Sequence, residues 1–257
     1  MKKFNNIIVF GDNHGEWSVW PNYIRDHKLD NVAVIVAGDF GIGFSPMHTD
    51  LASLNFLNKR MVHSNSVLYA VRGNHDNPEY FTGKYDLSNV KLVPDYSVLN
   101  LNDINILCVG GATSVDRKER SSYFAPREKR KDTDIIVKNN YWKDEVFVYD
   151  HDKTMALKDV DVVVTHSTPN IAPPLIKGSL NYWAEHDAHI IGDCDIERAQ
   201  LFQLYDNLKN NGNNLKYWFY GHFHTYYKTD IFGTTFVGLG INDEHELTLD
   251  NYENRFE

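Results

Sequence analysis

Arg72-Gly73-Asn74-His75-Asp76 follows the apolar run Ser66-Val67-Leu68-Tyr69-Ala70-Val71 and precedes Asn77-Pro78. The run has the length and the β-branched content of a buried strand, and the polar stretch reads as the loop in which it ends. An asparagine, a histidine and an aspartate together at such a point are costly for stability unless something pairs with them. Four other apolar runs end the same way. Residues 6–10 lead into Gly11-Asp12-Asn13-His14-Gly15 and residues 31–37 into Gly38-Asp39. Residues 160–165 lead into His166-Ser167-Thr168, and residues 215–220 into Gly221-His222-Phe223-His224. One site assembled from five strand ends is the economical explanation.

The segments between these strands read as helices. Residues 16–27 carry spaced aromatics, and within residues 49–63 Leu51, Leu54, Leu57 and Met61 recur at helical spacing. A β-α-β-α-β order predicts a layered α/β sheet, in which ligands sit outside the carboxyl ends of the strands. Residues 90–93, 96–100 and 104–109 read as a meander on the far side of a second sheet, joined through Pro94-Asp95 and Asn102-Asp103. Residues 196–208 read as a helix capped by Asp195, and residues 226–231 and 235–239 as two short strands around Phe232-Gly233. No repeat or boundary divides residues 1–257, which read as one domain with two lid or insertion segments, 112–135 and 167–195. The second is long for a connection. The first is the most basic stretch of the chain, with Arg117, Lys118, Arg120, Arg127, Lys129, Arg130 and Lys131. A solvated surface is weighed there against a lid whose arginines grip phosphate, Arg117 and Arg120 lying nearest the Gly110-Gly111 turn.

With 42 % hydrophobic residues in 257, the chain can bury a substantial core. No apolar run reaches the ~18 to 20 residues that span a bilayer, and the N-terminus runs into a short strand rather than a secretory signal. Cys108 lies in an apolar run and Cys194 in a polar one, with no disulfide framework or zinc-finger spacing. A cytoplasmic protein is expected. A formal net charge of −9 argues against holding long nucleic acid by phosphate contacts. It leaves room for a small anionic substrate, because bound divalent cations reverse the sign inside a cleft.

The strand ends supply Asp12, His14, Asp39, Asn74, His75, His166, His222 and His224. Carboxylate, imidazole and amide oxygen without thiolate suit Mn, Fe, Zn or Ni. Such a set exceeds the needs of one ion, so two divalent ions about 3.5–4 Å apart with one bridging carboxylate are the natural count. Each piece alone is weak, and histidines such as His27, His48, His63 and His245 read as ordinary ones. The i,i+3 pair His186 and His189 has no evident third ligand and is read as exposed and polar.

Gly11-Asp12-x-His14-Gly15, Gly38-Asp39, Gly73-Asn74-His75-Asp76, Thr165-His166 and Gly221-His222-x-His224 together resemble the calcineurin-like metallophosphoesterases, in that family's order. The resemblance implies a four-layer α-β-β-α sandwich of two packed mixed sheets with a dimetal centre, manganese foremost. It places Asp12, His14 and His224 on one ion, Asn74, His166 and His222 on the other, and Asp39 between them. A hydroxide held between the ions would attack phosphorus in line, with His75 as general acid and Asp76 orienting its ring and raising its pKa. The protein Ser/Thr phosphatases of the family carry Asp-Arg-Gly shortly after Gly-Asp, where this chain has Phe40-Gly41-Ile42-Gly43-Phe44. A phosphate clamp must come from elsewhere, with Arg72 nearest and Arg117 and Arg120 further off. The expected activity is hydrolysis of phosphate monoesters or small diesters on a small phosphorylated substrate. A metal-dependent nuclease is the alternative, and a scaffold that has lost its metals the third reading. The roughly 30 residues after His224 leave little room for a DNA-contacting domain, and every ligand position of the family is filled.

Overall fold

Val32-Ala33-Val34-Ile35-Val36 is apolar at every position because both of its faces are covered. The structure is a computed structural model that describes residues 2–124, 141–172 and 180–248. In it, β1 (Asn6–Phe10), β2 (Val32–Val36) and β3 (Val67–Ala70) run parallel, with Ile8 opposite Val34 and Val34 opposite Leu68. β4 (Val90–Leu92) joins β3 in parallel, and β11 (Glu244–Glu246) closes the other edge antiparallel to β1. The second sheet holds β5 (Ser97–Leu101), β6 (Ile104–Val109), β7 (Val162–Thr165), β8 (Tyr217–Tyr220), β10 (Thr234–Gly238) and β9 (Tyr227–Ile231), in that spatial order. Its centre is parallel and its two edges are antiparallel.

Side chains alternate across each sheet. Ile7, Val9, Ala33 and Ile35 face Ile106, Val162, Val164 and Phe219 of the other sheet. Ile8, Phe10, Val34 and Leu68 face the opposite way, onto Trp20 and Ile24 of α1 (Val19–Asp26) and Leu54, Leu57 and Met61 of α2 (Met47–His63). On the far side of the second sheet, Leu107, Val163 and Trp218 meet Leu201, Leu204 and Leu208 of α6 (Ile190–Asn210). The layers are therefore α-β-β-α, as expected. Shorter helices, α3 (Arg117–Phe124), α4 (His151–Ala156) and α5 (Leu180–Ala184), lie in the connections.

Two expectations are corrected. The run at Val90–Leu92 does not open a meander of the second sheet, because Val90 and Leu92 are buried beneath α2 and extend the first sheet. The long helix starts at Ile190 with His189 at its N-cap, so Cys194 and Asp195 lie within it rather than before it. Gly192 and the paired aspartates give that first turn poor helix propensity, yet the fully buried Ile190 anchors it. Lid residues Arg127, Lys129, Arg130 and Lys131 lie outside the described residues. Among the described residues no helix is long and apolar enough to cross a membrane.

Neighbouring residues of α2 separate burial from mere hydrophobicity. Leu57 is 2 % exposed and Phe56 is 65 % exposed. Leu57→Ala is expected to destabilise by about 2–5 kcal/mol and Phe56→Ala by under about 1 kcal/mol, read from urea unfolding midpoints.

Candidate metal centre

The carboxyl ends of β1, β2, β3, β7 and β8 meet at one edge of the two sheets. The chain turns sharply there, with φ of 52° at His14, 46° at Asp39, 68° at His222 and 50° at His224. A left-handed non-glycine residue costs about 1–2 kcal/mol, so the surroundings must impose these conformations. The His14 amide donates to the Asp39 backbone carbonyl at 2.8 Å, and at His222 and in the neighbouring loop the buried carboxylates take part. The His222 amide donates to both oxygens of Asp12 at 2.9 and 3.0 Å, and the His75 amide donates to Asp39 Oδ1 at 2.7 Å. A Cβ at Gly73 would collide with Asp39 Oδ1, and one at Gly221 with Asp12 Oδ1. Those glycines let the backbone approach each carboxylate that closely.

One donor set opens to solvent. Ligand atoms of Asp12, His14, Asp39 and His224 all lie within 4.8 Å of one another. His224 Nε2 is 3.0 Å from Asp12 Oδ2 and 3.1 Å from His14 Nε2, while His14 Nδ1 is 3.8 Å from Asp39 Oδ2. Both carboxylates are buried and both imidazoles are exposed. The hydrogen bond with Asp12 raises the pKa of His224.

The other set is buried and shares Asp39. His166 Nδ1 lies 2.8 Å from the Ala37 carbonyl, which can only accept, so that nitrogen carries a hydrogen. Its Nε2 then faces Asn74 Oδ1 at 2.9 Å and Asp39 Oδ1 at 3.2 Å. Asn74 Oδ1 is also 3.0 Å from His222 Nδ1, and its amide nitrogen donates to Ser114 Oγ at 2.8 Å, which turns the oxygen inward. Lone pairs from nitrogen and oxygen thus converge on a small buried volume. Without a cation the protein must protonate an imidazole to relieve them. Burial opposes charge on His166, but Asp39 and Asp12 outweigh it and lift the pKa to about 10. Burial, and then the charge of His166, hold His222 down at about 3. Asp39 stays ionised despite its burial, because His166, His75 and His14 surround it. A converging oxygen and nitrogen donor set with a hydrogen-bonded outer histidine nitrogen fits a divalent cation.

The catalytic and phosphate-binding expectations fare differently. His75 sits beside this centre, its ring 5.3 Å edge-on from that of His14 and 6.2 Å from Phe44, and burial lowers its pKa. Among the described residues no side chain hydrogen-bonds that ring. Asp76 neither orients it nor raises its pKa, which corrects the expected role. Its carboxylate instead accepts from the amides of Phe40, Gly41, Ile42 and Gly73 at 3.0, 2.7, 3.1 and 2.8 Å. Burial and the charge of Asp39 raise its pKa to about 6 against those bonds. Asp76 therefore ties the loop after β2 to the loop after β3. Arg72 is likewise not a phosphate clamp. Its side chain is 5 % exposed and is spent on Asp95 at 2.9 Å and on the carbonyls of Asp144, Glu145 and Val146. Arg117 lies between Asp187 and Asp193, and Arg120 pairs with Asp116 and Glu145 and bonds Ser114. Those carboxylates already answer their charge. His186 and His189 stand apart, His186 against the Tyr182 carbonyl and His189 at the start of α6.

Sequence reading missed Ser114, Phe44 and Trp142. Ser114 follows β6 and Gly110-Gly111, another strand end with small polar residues, and that was the available signal. Phe44 contacts Trp142 edge-on at 5.6 Å, a pairing across the chain that no local pattern announces. Because Ser114 is the one side chain among the described residues that fixes the Asn74 amide, Ser114→Ala is expected to weaken binding of Mn²⁺ by about 10–100-fold, read by calorimetry, with Ser114→Thr retaining more of it than the alanine.

Comparison with known proteins gives a family match. The family model for calcineurin-like phosphoesterases matches residues 6–226. Among solved structures, the phosphopantetheinyl hydrolase of Mycobacterium tuberculosis is 16 % identical, with 98 % of this chain and 98 % of that one covered and a TM-score of 0.43. An archaeal phosphodiesterase is 12 % identical over 95 % of this chain and 99 % of its own, with a TM-score of 0.38. The 5'-nucleotidase assigned in Staphylococcus aureus is 14 % identical over 96 % of this chain and 51 % of its own, with a TM-score of 0.42. A comparison with curated proteins returns no match. With the family's model matched over most of its length, the chain belongs to the calcineurin-like phosphoesterase family.

Proposed function

We propose that this chain hydrolyses small phosphate esters, mono- or diesters, with two divalent cations. The observation that carries the reading is the shared position of Asp39, which faces His14 through one oxygen and His166 through the other. Asp12, His14 and His224 would hold one ion and Asn74, His166 and His222 the other, with Asp39 common to both. The nitrogen and oxygen donors suit Mn²⁺, and also Fe, Zn or Ni. Such ions, when bound, supply an activated water as nucleophile and neutralise charge on the phosphoryl oxygens.

The remaining work falls to the chain. His75 lies at the rim of the centre next to His14, where its ring can protonate the leaving-group oxygen. Its backbone is held by Asp39 and, through Gly73, by Asp76, so its position is set from below rather than by a bond to the ring. Phe44 stacks beside it, backed edge-on by Trp142, and gives that side of the ring an apolar neighbour. Cytoplasmic residence belongs to the same proposal, supported by two cysteines that are both free. The net charge of −9 favours a small substrate over a nucleic-acid strand.

The test gives the protein and Mn²⁺ either p-nitrophenyl phosphate, bis-p-nitrophenyl phosphate or single-stranded DNA. Turnover of a small ester that EDTA abolishes is expected, and no turnover with metal bound would refute the hydrolase reading. His75→Ala is expected to keep its metal and lose about 10²–10⁴-fold in kcat, the loss growing as the leaving group worsens. Loss of metal in that variant would instead make His75 a ligand.

A further inference from the structure

Beside the candidate metal centre lies a cavity of about 210 Å³ whose lining includes His222. Val115, Leu180, Trp183 and Phe223 form its apolar wall, and the Phe223 ring stands edge-on to that of His222 at 4.9 Å. Pockets that enclose a whole drug-sized ligand measure about 300–1,000 Å³, so this one has room for one arm of a substrate.

The polar group in this cavity that calls for an explanation is Arg198 of α6. Its Nε and Nη2 donate to the carbonyls of Thr168 and Pro169 at 3.3 and 3.4 Å, both long. Among the described residues no carboxylate lies within ion-pair distance of it. Arg72, Arg117 and Arg120 each have at least one such partner. A guanidinium offers a fork of five N–H donors, so Arg198 keeps donors in hand. Asp195 and Glu197 act on that cation from beyond pairing distance, and holding it half-buried with no ion-pair partner among the described residues is unfavourable unless an anion completes it. Two carboxyl groups also line the cavity. Glu197 accepts from the Thr113 hydroxyl at 2.8 Å, and Asp195 is exposed, where solvent screens it.

We propose that this cavity is the leaving-group subsite. It takes an aromatic or branched apolar arm that ends in an oxyanion, and Arg198 determines specificity for that oxyanion. The inference rests on the phosphoesterase reading above. The reacting phosphoryl group lies on the Asn74 side of His222, and the arm extends past Phe223 between Trp183 and Leu180 to the guanidinium. The planar fork suits a carboxylate or a second phosphate, each of which it grips through two oxygens.

Hydrolysis-resistant phosphonates test this by calorimetry on the Mn²⁺-loaded protein. Benzylphosphonate is the neutral-armed reference. The other probes carry a para carboxylate, a para methylphosphonate or a para aminomethyl group. The carboxylate or the bisphosphonate is expected to bind about tenfold tighter than the reference, the scale of one charge-assisted hydrogen-bond pair. Which of them gains more identifies the oxyanion. Arg198→Met should erase that gain, so that neutral and anionic probes bind alike, Arg198→Lys should restore part of it, and Trp183→Ala should weaken every probe. Equal binding of neutral and anionic probes, tightest binding of the ammonium, no binding of any probe, or a gain that survives Arg198→Met would overturn the proposal. Phenyl phosphate turnover, run alongside, separates the two readings. The binding pattern without turnover keeps the cavity as an oxyanion-reading site but removes its leaving-group role with the hydrolase reading, and turnover without the pattern refutes the subsite alone.

Discussion

Two buried carboxylates, Asp12 and Asp39, sit among histidines at the meeting point of two sheets, and much else in the fold follows from that arrangement. Each carboxylate does double duty. It faces the donor set, and it also accepts a backbone amide from the neighbouring loop, His222 for Asp12 and His75 for Asp39. The first of those bonds holds the left-handed turn at His222, and the second ties the loop that carries His75 to Asp39. Uncompensated, the charges would be costly to bury, and protonation of His166 is the remedy the chain has within itself. The centre is thus built with an electrostatic demand for positive charge.

The two sheets are what make the convergence feasible. β1, β2 and β3 come from one layer and β7 and β8 from the other, and their carboxyl ends lie side by side only because the layers pack face to face. Asp76 then stitches the loops after β2 and β3, with four amides on one carboxylate. In a chain with Phe40-Gly41-Ile42 after Gly38-Asp39, that stitch shapes the loop facing His75.

Much of this was legible in the sequence because strand ends are local features. An apolar run that stops at Asp or His announces both the strand and the ligand, so Asp12, Asp39, Asn74 and His166 could be placed together from five short patterns. What failed was whatever depended on partners distant in the chain. Arg72 stands next to the site in sequence, yet it is claimed by Asp95 and by carbonyls more than seventy residues away. Asp76 looked like a partner for the adjacent His75, but the amides of residues 40–42 reached it first. β4 has the turn-linked look of a meander and nonetheless pairs with β3, because the underside of α2 needed covering. Arg198 sits on a helix with no motif around it, and its interest comes from having no carboxylate partner among the described residues, which only the three-dimensional arrangement reveals.

The central claim is that one carboxylate, Asp39, serves two ions at once. Metal stoichiometry on the purified protein tests it most directly, by mass spectrometric metal analysis together with Mn²⁺ titration of the native chain and Asp39→Asn. The account predicts two ions per chain, with affinity for both lowered in the variant. A single ion per native chain, or a variant in which one site keeps its full affinity, would contradict it.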